Sequence, residues 1–379
     1  MNTLITNIGQ LVTPKGRGAL FGRGMSAIDV AEGVEILIRD GRIVSIAEQH
    51  ARNGIDAIID ADGGVVLPGL VDPHTHALLP HGFPEERSLS AGSIARRVER
   101  GLRRAIEAGT TTIEVKCGDG DEPEEEISLL RVVERLKRSV RLRVITTFLG
   151  ALGRCEGQMR DERVSSLIRE VIPTVRRHRL VQFCDVVCGE EAYSEAETRT
   201  ILRAARGAGL RSKIHVGETE LPAGTLGAEL EVTSIDHLSS PGQREIEEMK
   251  RAGVIPVLLL GAAFFLGRPY PDARWMIDSG LPLALGTDSG LVGYGVGSMW
   301  SVISLATRRM GMSVEEGISA ATLNGAAAVD LAGEVGSIEP GKLADLLILD
   351  IGDYREIGDF IGVNPVRTVI FEGREAGSG

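Results

Sequence analysis

His74 and His76 stand two residues apart at the end of the apolar run Leu67-Pro68-Gly69-Leu70-Val71-Asp72-Pro73-His74-Thr75-His76. Side chains alternate across an extended strand, so both imidazoles point to one side. There they can hold a divalent metal that prefers nitrogen ligands. Two more histidines close predicted strands, His215 in Lys213-Ile214-His215 and His237 in Asp236-His237-Leu238, and Asp288 directly follows a strand ending at Thr287. His74, His76, His215 and Asp288 make a set of three nitrogens and one carboxylate, which suits a hydrolytic metal site. Such an ion brings the pKa of its water from roughly 15.7 toward ~7 and supplies hydroxide at neutral pH. Glu218, three residues past His215, is then the candidate proton shuttle to a leaving nitrogen. His237 is the candidate for polarising a carbonyl. Each residue alone also reads as a core histidine, a solvated loop carboxylate or a turn residue; it is their gathering at strand ends that speaks for chemistry. The other histidines, His50, His81 and His178, fall in loop or helical stretches and read as solvated or capping residues.

The elements that must position these groups alternate. Eight strands are predicted, Val71–His76, Thr111–Lys116, Arg143–Phe148, Gln182–Val187, Ser212–His215, Ser234–His237, Ile255–Leu260 and Pro282–Thr287. Amphipathic helices separate most of them, such as Ser194–Ala208 and Pro241–Ala252, and Ser313–Leu323 follows the last. A span of about 265 residues for eight βα units matches the ~250 of a (β/α)8 TIM-like barrel, whose catalytic groups gather at the C-terminal strand ends. No Gly-x-Gly-x-x-Gly follows the first strand to favour an open doubly wound sheet. Before the barrel, Val34–Arg39 and Arg42–Ile46 are joined at Asp40-Gly41, a hairpin signal, and Asp62-Gly63-Gly64 marks another turn. The C-terminal runs Ala344–Asp350 and Val366–Gly373 have the same texture. The expected organisation is a small β-sandwich from both chain ends, residues 1–66 and 332–379, around a metal-dependent barrel over 67–331.

Composition narrows the partners. A net charge of −11 without a basic patch argues against nucleic acid. No apolar run approaches the ~20 residues that cross a bilayer, and the N-terminus has no signal-peptide pattern. Cys117, Cys155, Cys184 and Cys188 show neither zinc-ribbon spacing nor disulfide density, which fits reduced thiols in a cytoplasmic protein. Lys116 ends the second strand, whereas the fourth leads into Cys188-Gly189-Glu190-Glu191 without a lysine; a lysine-bridged metal pair is therefore disfavoured and one ion is expected. The acidic run Asp119–Glu126 reads as a solvated loop entering a helix.

From about residue 60 onward the chain resembles the imidazolonepropionase branch of the amidohydrolase superfamily. The matching stretches include Gly69–His76, Gly109-Thr110-Thr111-Thr112-Ile113-Glu114-Val115-Lys116, Phe183–Cys188, Lys213-Ile214-His215-Val216-Gly217-Glu218, Asp236-His237-Leu238, Leu285-Gly286-Thr287-Asp288 and Gly362-Val363-Asn364-Pro365. The resemblance implies metal ligands at His74, His76, His215 and Asp288, an acid/base Glu218 and a polarising His237. It also implies a single zinc or iron ion and a homodimer. Substrate-reading positions depart from the family pattern. Phe83 stands where an arginine reads the propionate, Asp119 where a tyrosine is usual, Leu152 where a histidine is, and Gly290 where an asparagine follows the aspartate. Losing one hydrogen-bonded contact costs ~1–3 kcal/mol, so four such losses imply a different, larger and more apolar substrate. The expectation is an amidohydrolase cutting a carbon–nitrogen bond of a small molecule or a modified peptide, as in bottromycin-type follower removal. Imidazolonepropionate ring opening in histidine breakdown and ring deamination are the alternatives, with a non-catalytic binder as a third class.

Overall fold

The computed structural model describes residues 1–77, 91–117, 123–150, 158–189, 192–216, 222–290 and 297–376. Asp40 and Gly41 take φ of 47° and 80°, both left-handed, as a two-residue type I′ hairpin turn demands. They join Glu35–Arg39 to Arg42–Ala47 in antiparallel register. With Asn2–Thr6 and Ala57–Asp60 these strands form a four-stranded sheet. Val65–Pro68 enters a six-stranded sheet instead, between Gln10–Pro14 and Leu346–Leu349, so the two chain ends pair directly. Ile5, Ile36 and Ile38 of the first sheet share one apolar cluster with Val66, Leu346, Ile348 and Ile370 of the second, which makes the predicted sandwich. Gly69 carries the chain from sandwich to barrel; a Cβ there would lie 2.1 Å from the Thr111 hydroxyl.

The barrel strands follow in chain order: Leu70–His76, Thr110–Cys117, Arg143–Phe148, Phe183–Cys188, Arg211–Val216, Ser234–Asp236, Ile255–Leu259 and Ala284–Gly286. Each pairs with the next in parallel. Strand eight breaks after Gly286 and resumes at Ser289–Gly290, which pairs with strand one and closes the barrel. All eight predicted strands are present, with bounds shifted by at most two residues and Arg143–Phe148 unchanged. The predicted helices are there too, over Glu195–Gly207, Gln243–Ala252 and Val314–Ala321. The first and last of these open on capping boxes at Ser194 and Ser313. No helix among the described residues is long and apolar enough to cross a membrane. Cys117, Cys184 and Cys188 are buried thiols.

The barrel interior is layered. At the strand starts Val71, Ile145 and Phe183 pack on Leu323 and Ala326, and Ile255 and Val257 pack near Ala328, so the helix Leu323–Ala328 plugs that end. Above the plug lies a fully buried ionic layer, Glu114, Lys116, Asp185, Lys213 and Asp236. The histidines stand above that. Val71 and His74 are three apart yet both face inward, because strand one bulges between them. Three steps from Asp72 to Thr75 oppose two from Ile113 to Val115.

Candidate metal centre

The bulge at Pro73 lifts His74 and His76 onto the C-terminal rim, the end of a barrel where chemistry gathers. Their Nε2 atoms lie 3.2 Å apart. The break in strand eight brings Asp288 to them. Its backbone is left-handed, φ 54°, and its N–H donates to the His74 carbonyl at 3.1 Å. Asp72, just before the bulge, accepts from the N–H and hydroxyl of Thr287 at 3.1 and 2.6 Å and so fixes the residue preceding Asp288. Asp288 Oδ1 then lies 3.4 Å from His74 Nε2 and 3.4 Å from His76 Nε2.

This triangle tests the ion. Tetrahedral zinc binds nitrogen and oxygen at about 2.0–2.2 Å, which spaces its ligand atoms about 3.3–3.5 Å apart. Edges of 3.2, 3.4 and 3.4 Å fit that spacing. His215 and His237 complete the rim, with ring centroids 4.3 Å apart, and together with His74 they form a second group of ligand atoms all within 4.8 Å. The four predicted ligands thus divide: His74, His76 and Asp288 form one compact triad, and His215 groups with His74 and His237, its ring 5.2 Å from that of His74. His237 directly follows its strand with a left-handed φ of 66°, and its Nε2 lies 3.9 Å from Asp288 Oδ2.

The protonation states suit a cation. Burial pushes the Asp288 carboxyl up, but hydrogen bonds from His74 and His76 outweigh it and hold the group well below the usual range. Burial and the neighbouring histidines keep His215 well below its ordinary value, and burial holds His237 at about 4 despite Asp288, so both are neutral imidazoles. At His74 burial and the Lys116 charge oppose protonation, yet Asp236 and Asp288 push the ring up to about 9. A cation facing Nε2 would take that proton's place. The Nδ1 atoms of His76 and His215 are buried without a hydrogen-bond partner among the described residues.

Beneath the candidate ligands, His74 Nδ1 meets Asp236 Oδ2 at 2.6 Å. Lys116 Nζ lies 2.9 Å from that same oxygen, 2.7 Å from Asp185 and 3.2 Å from Glu114. Burial pulls the Lys116 ammonium toward neutral, but the three carboxylates outweigh it and hold it well above its ordinary value. A lysine so held is a cation among carboxylates. Sequence reasoning placed Lys116 at a strand end but missed Glu114, Asp185, Lys213 and Asp236. The available signal was charge at inward, alternate positions of parallel strands that otherwise run apolar. Gly290, the one substrate-pocket expectation within reach, pairs with His76 across the closing strand. Glu218, Phe83, Asp119 and Leu152 lie outside the described residues.

A model of the amidohydrolase family matches residues 65–376. The imidazolonepropionase of Caldanaerobacter subterraneus subsp. tengcongensis is 36% identical over 400 residues, covering 97% of this chain and 96% of that one. An amidohydrolase from a Sargasso Sea environmental sample has a similar fold, with a TM-score of 0.77 at 21% identity over 99% of this chain and 93% of its own. A zinc complex of atrazine chlorohydrolase from Arthrobacter aurescens TC1 aligns with a TM-score of 0.75 at 16% identity, over 98% and 94% of the two chains.

Proposed function

The chain belongs to the amidohydrolase family, a metal-dependent hydrolase of carbon–nitrogen bonds, and from that premise we propose that one divalent ion, zinc or iron, is held by His74, His76, His215 and Asp288. The observation that carries this reading is the triangle of His74 Nε2, His76 Nε2 and Asp288 Oδ1. When bound, such an ion supplies Lewis acidity at neutral pH. Glu218 takes a proton from the attacking water and returns it to the departing nitrogen as the carbon–nitrogen bond breaks. His237, neutral and beside Asp288, steadies the oxygen of the carbonyl under attack. Phe83, Asp119, Leu152 and Gly290 shape a pocket for a substrate other than imidazolonepropionate, a cyclic amide or a modified peptide. The setting is a cytoplasmic homodimer whose chain divides into a sandwich, 1–66 with 332–379, and a barrel, 67–331.

A second reading is ring opening of imidazolonepropionate itself, favoured by relatives of that name at 36% identity along nearly the whole chain. The test starts from protein purified without added metal. About one ion per chain is expected, and Glu218→Gln should keep the ion and lose turnover by at least ~10³-fold. Full activity in that variant, or no stoichiometric binding of added Zn2+ by the native protein, would overturn the proposal. Imidazolonepropionate and a cyclic-amidine peptide, assayed side by side with ammonia detection, separate the two readings and report any deamination.

A further inference from the structure

The ionic layer under the histidines is larger than a metal site needs for neutrality. Two ammonium groups, Lys116 and Lys213, face three carboxylates, Glu114, Asp185 and Asp236, all without solvent exposure. One negative charge is left over. It is not spread evenly, because the members differ in what they touch. Lys213 reaches Glu114 at 2.9 Å and stacks its Nζ 5.0 Å from the Phe183 ring, facing the apolar plug. Lys116 stands between Asp185 and Asp236, facing the histidines. Asp236 is held twice more: its Oδ1 accepts from the Ser234 hydroxyl at 2.9 Å, and its Oδ2 meets His74 Nδ1. A carboxylate pinned on both oxygens leaves the imidazole one tautomer and one orientation, with the proton on Nδ1 and the lone pair of Nε2 aimed at the rim.

We propose that Lys116 is a positioning residue of the metal centre, clamping Asp236 so that Asp236 orients His74 toward the ion. The proposal rests on the metal-centre reading above, and it assigns a division of labour inside the ionic layer. Lys116 sets metal affinity through Asp236, whereas Lys213 joins the layer to the plug beneath it and serves the fold. A merely structural Lys116 would make the two lysines equivalent in every readout except melting temperature.

The experiment compares Zn2+ affinity, by competition with a chromophoric chelator, and the ligand-field spectrum of the Co2+-loaded protein across native chain, Lys116→Met and Lys213→Met. Loss of outer ligand support typically weakens a metal 10–100-fold. Lys116→Met is expected to lose Zn2+ affinity by that factor and to shift the Co2+ bands. Lys213→Met is expected to melt earlier yet bind Zn2+ within about threefold of native. Asp236→Asn keeps the side chain's size but removes the carboxylate that Lys116 clamps, and it gives the same reading should Lys116→Met not fold. Native-like Zn2+ affinity in folded Lys116→Met, or in Asp236→Asn should Lys116→Met not fold, overturns the proposal. So does an equal loss in Lys213→Met. If the native chain itself bound no Zn2+, the metal reading would fail first, so the two failures are distinguishable.

Discussion

Two residues at the rim, His237 and Asp288, hold left-handed backbone with φ of 66° and 54°. For a residue with a Cβ this conformation costs roughly 1–2 kcal/mol, with asparagine and aspartate the most tolerant. At Asp288 the strained turn delivers the carboxylate to two imidazoles and lets its N–H reach the His74 carbonyl. Backbone and side chain are therefore separable by substitution. Asp288→Asn tolerates the turn, and Asp288→Ala does not. In metal-free protein we expect Asp288→Ala to be less stable than Asp288→Asn by about 1 kcal/mol, measured by urea unfolding. Both variants should bind Zn2+ more weakly than the native chain. Equal stability would mean that the turn is set by its neighbours alone.

At the scale of elements, the helix Glu195–Gly207 behind strands four and five shows how the sequence sets a boundary. Ser194 and Glu197 form a capping box, and Arg160 reaches across from another helix to bind Glu197 at 2.7 and 2.9 Å. Burial pushes the Glu197 carboxyl up, but the hydrogen bonds from Arg160 and Ser194 outweigh it and lower it to about 2. The sign follows from linkage. A carboxyl depressed in the folded state stabilises above its unfolded pKa of roughly 4.3 and loses that stabilisation as pH falls toward its folded value. Because the pair is only half-buried and screened by solvent, Glu197→Gln should be less stable than native by about 1 kcal/mol at pH 7, with the gap narrowing steadily below pH 4. Chemical unfolding at several pH values reads this directly; a gap independent of pH would assign the effect to packing.

Across the whole molecule, sandwich and barrel are joined by charge as well as by chain. Arg143, at the start of strand three, pairs with the buried Asp345 and with Glu372 at 2.8 Å, and its guanidinium lies 5.1 Å from the Phe371 ring. Gly69 donates its N–H to the Asp345 carbonyl at 2.8 Å, so strand one and strand three are anchored to the same residue. Removing one partner of a buried ion pair typically costs 3–5 kcal/mol, because the other charge stays buried. Arg143→Ala should lower stability by about that much, since the Asp345 carboxylate then keeps, among the described residues, only its bond from the Glu372 N–H. Differential scanning calorimetry checks it, and a loss under about 1 kcal/mol would show that the two parts do not depend on this contact.

Strand order, the hairpin at Asp40-Gly41 and the gathering of histidines at strand ends were all legible in the chain, because each rests on local chemistry. Alternation sets which face a side chain takes, left-handed turns select glycine and aspartate, and capping selects serine and glutamate. The bulge at Pro73 and the break between Gly286 and Ser289 were not legible. They arise from closing eight strands into one ring, and closure is a condition on distant partners rather than on any single segment. The ionic layer belongs to the same class. Glu114, Lys116, Asp185, Lys213 and Asp236 come from four strands, and each alone reads as a charge on a surface. Only when the barrel brings them together, shielded from water, can their mutual attraction offset the cost of burying them.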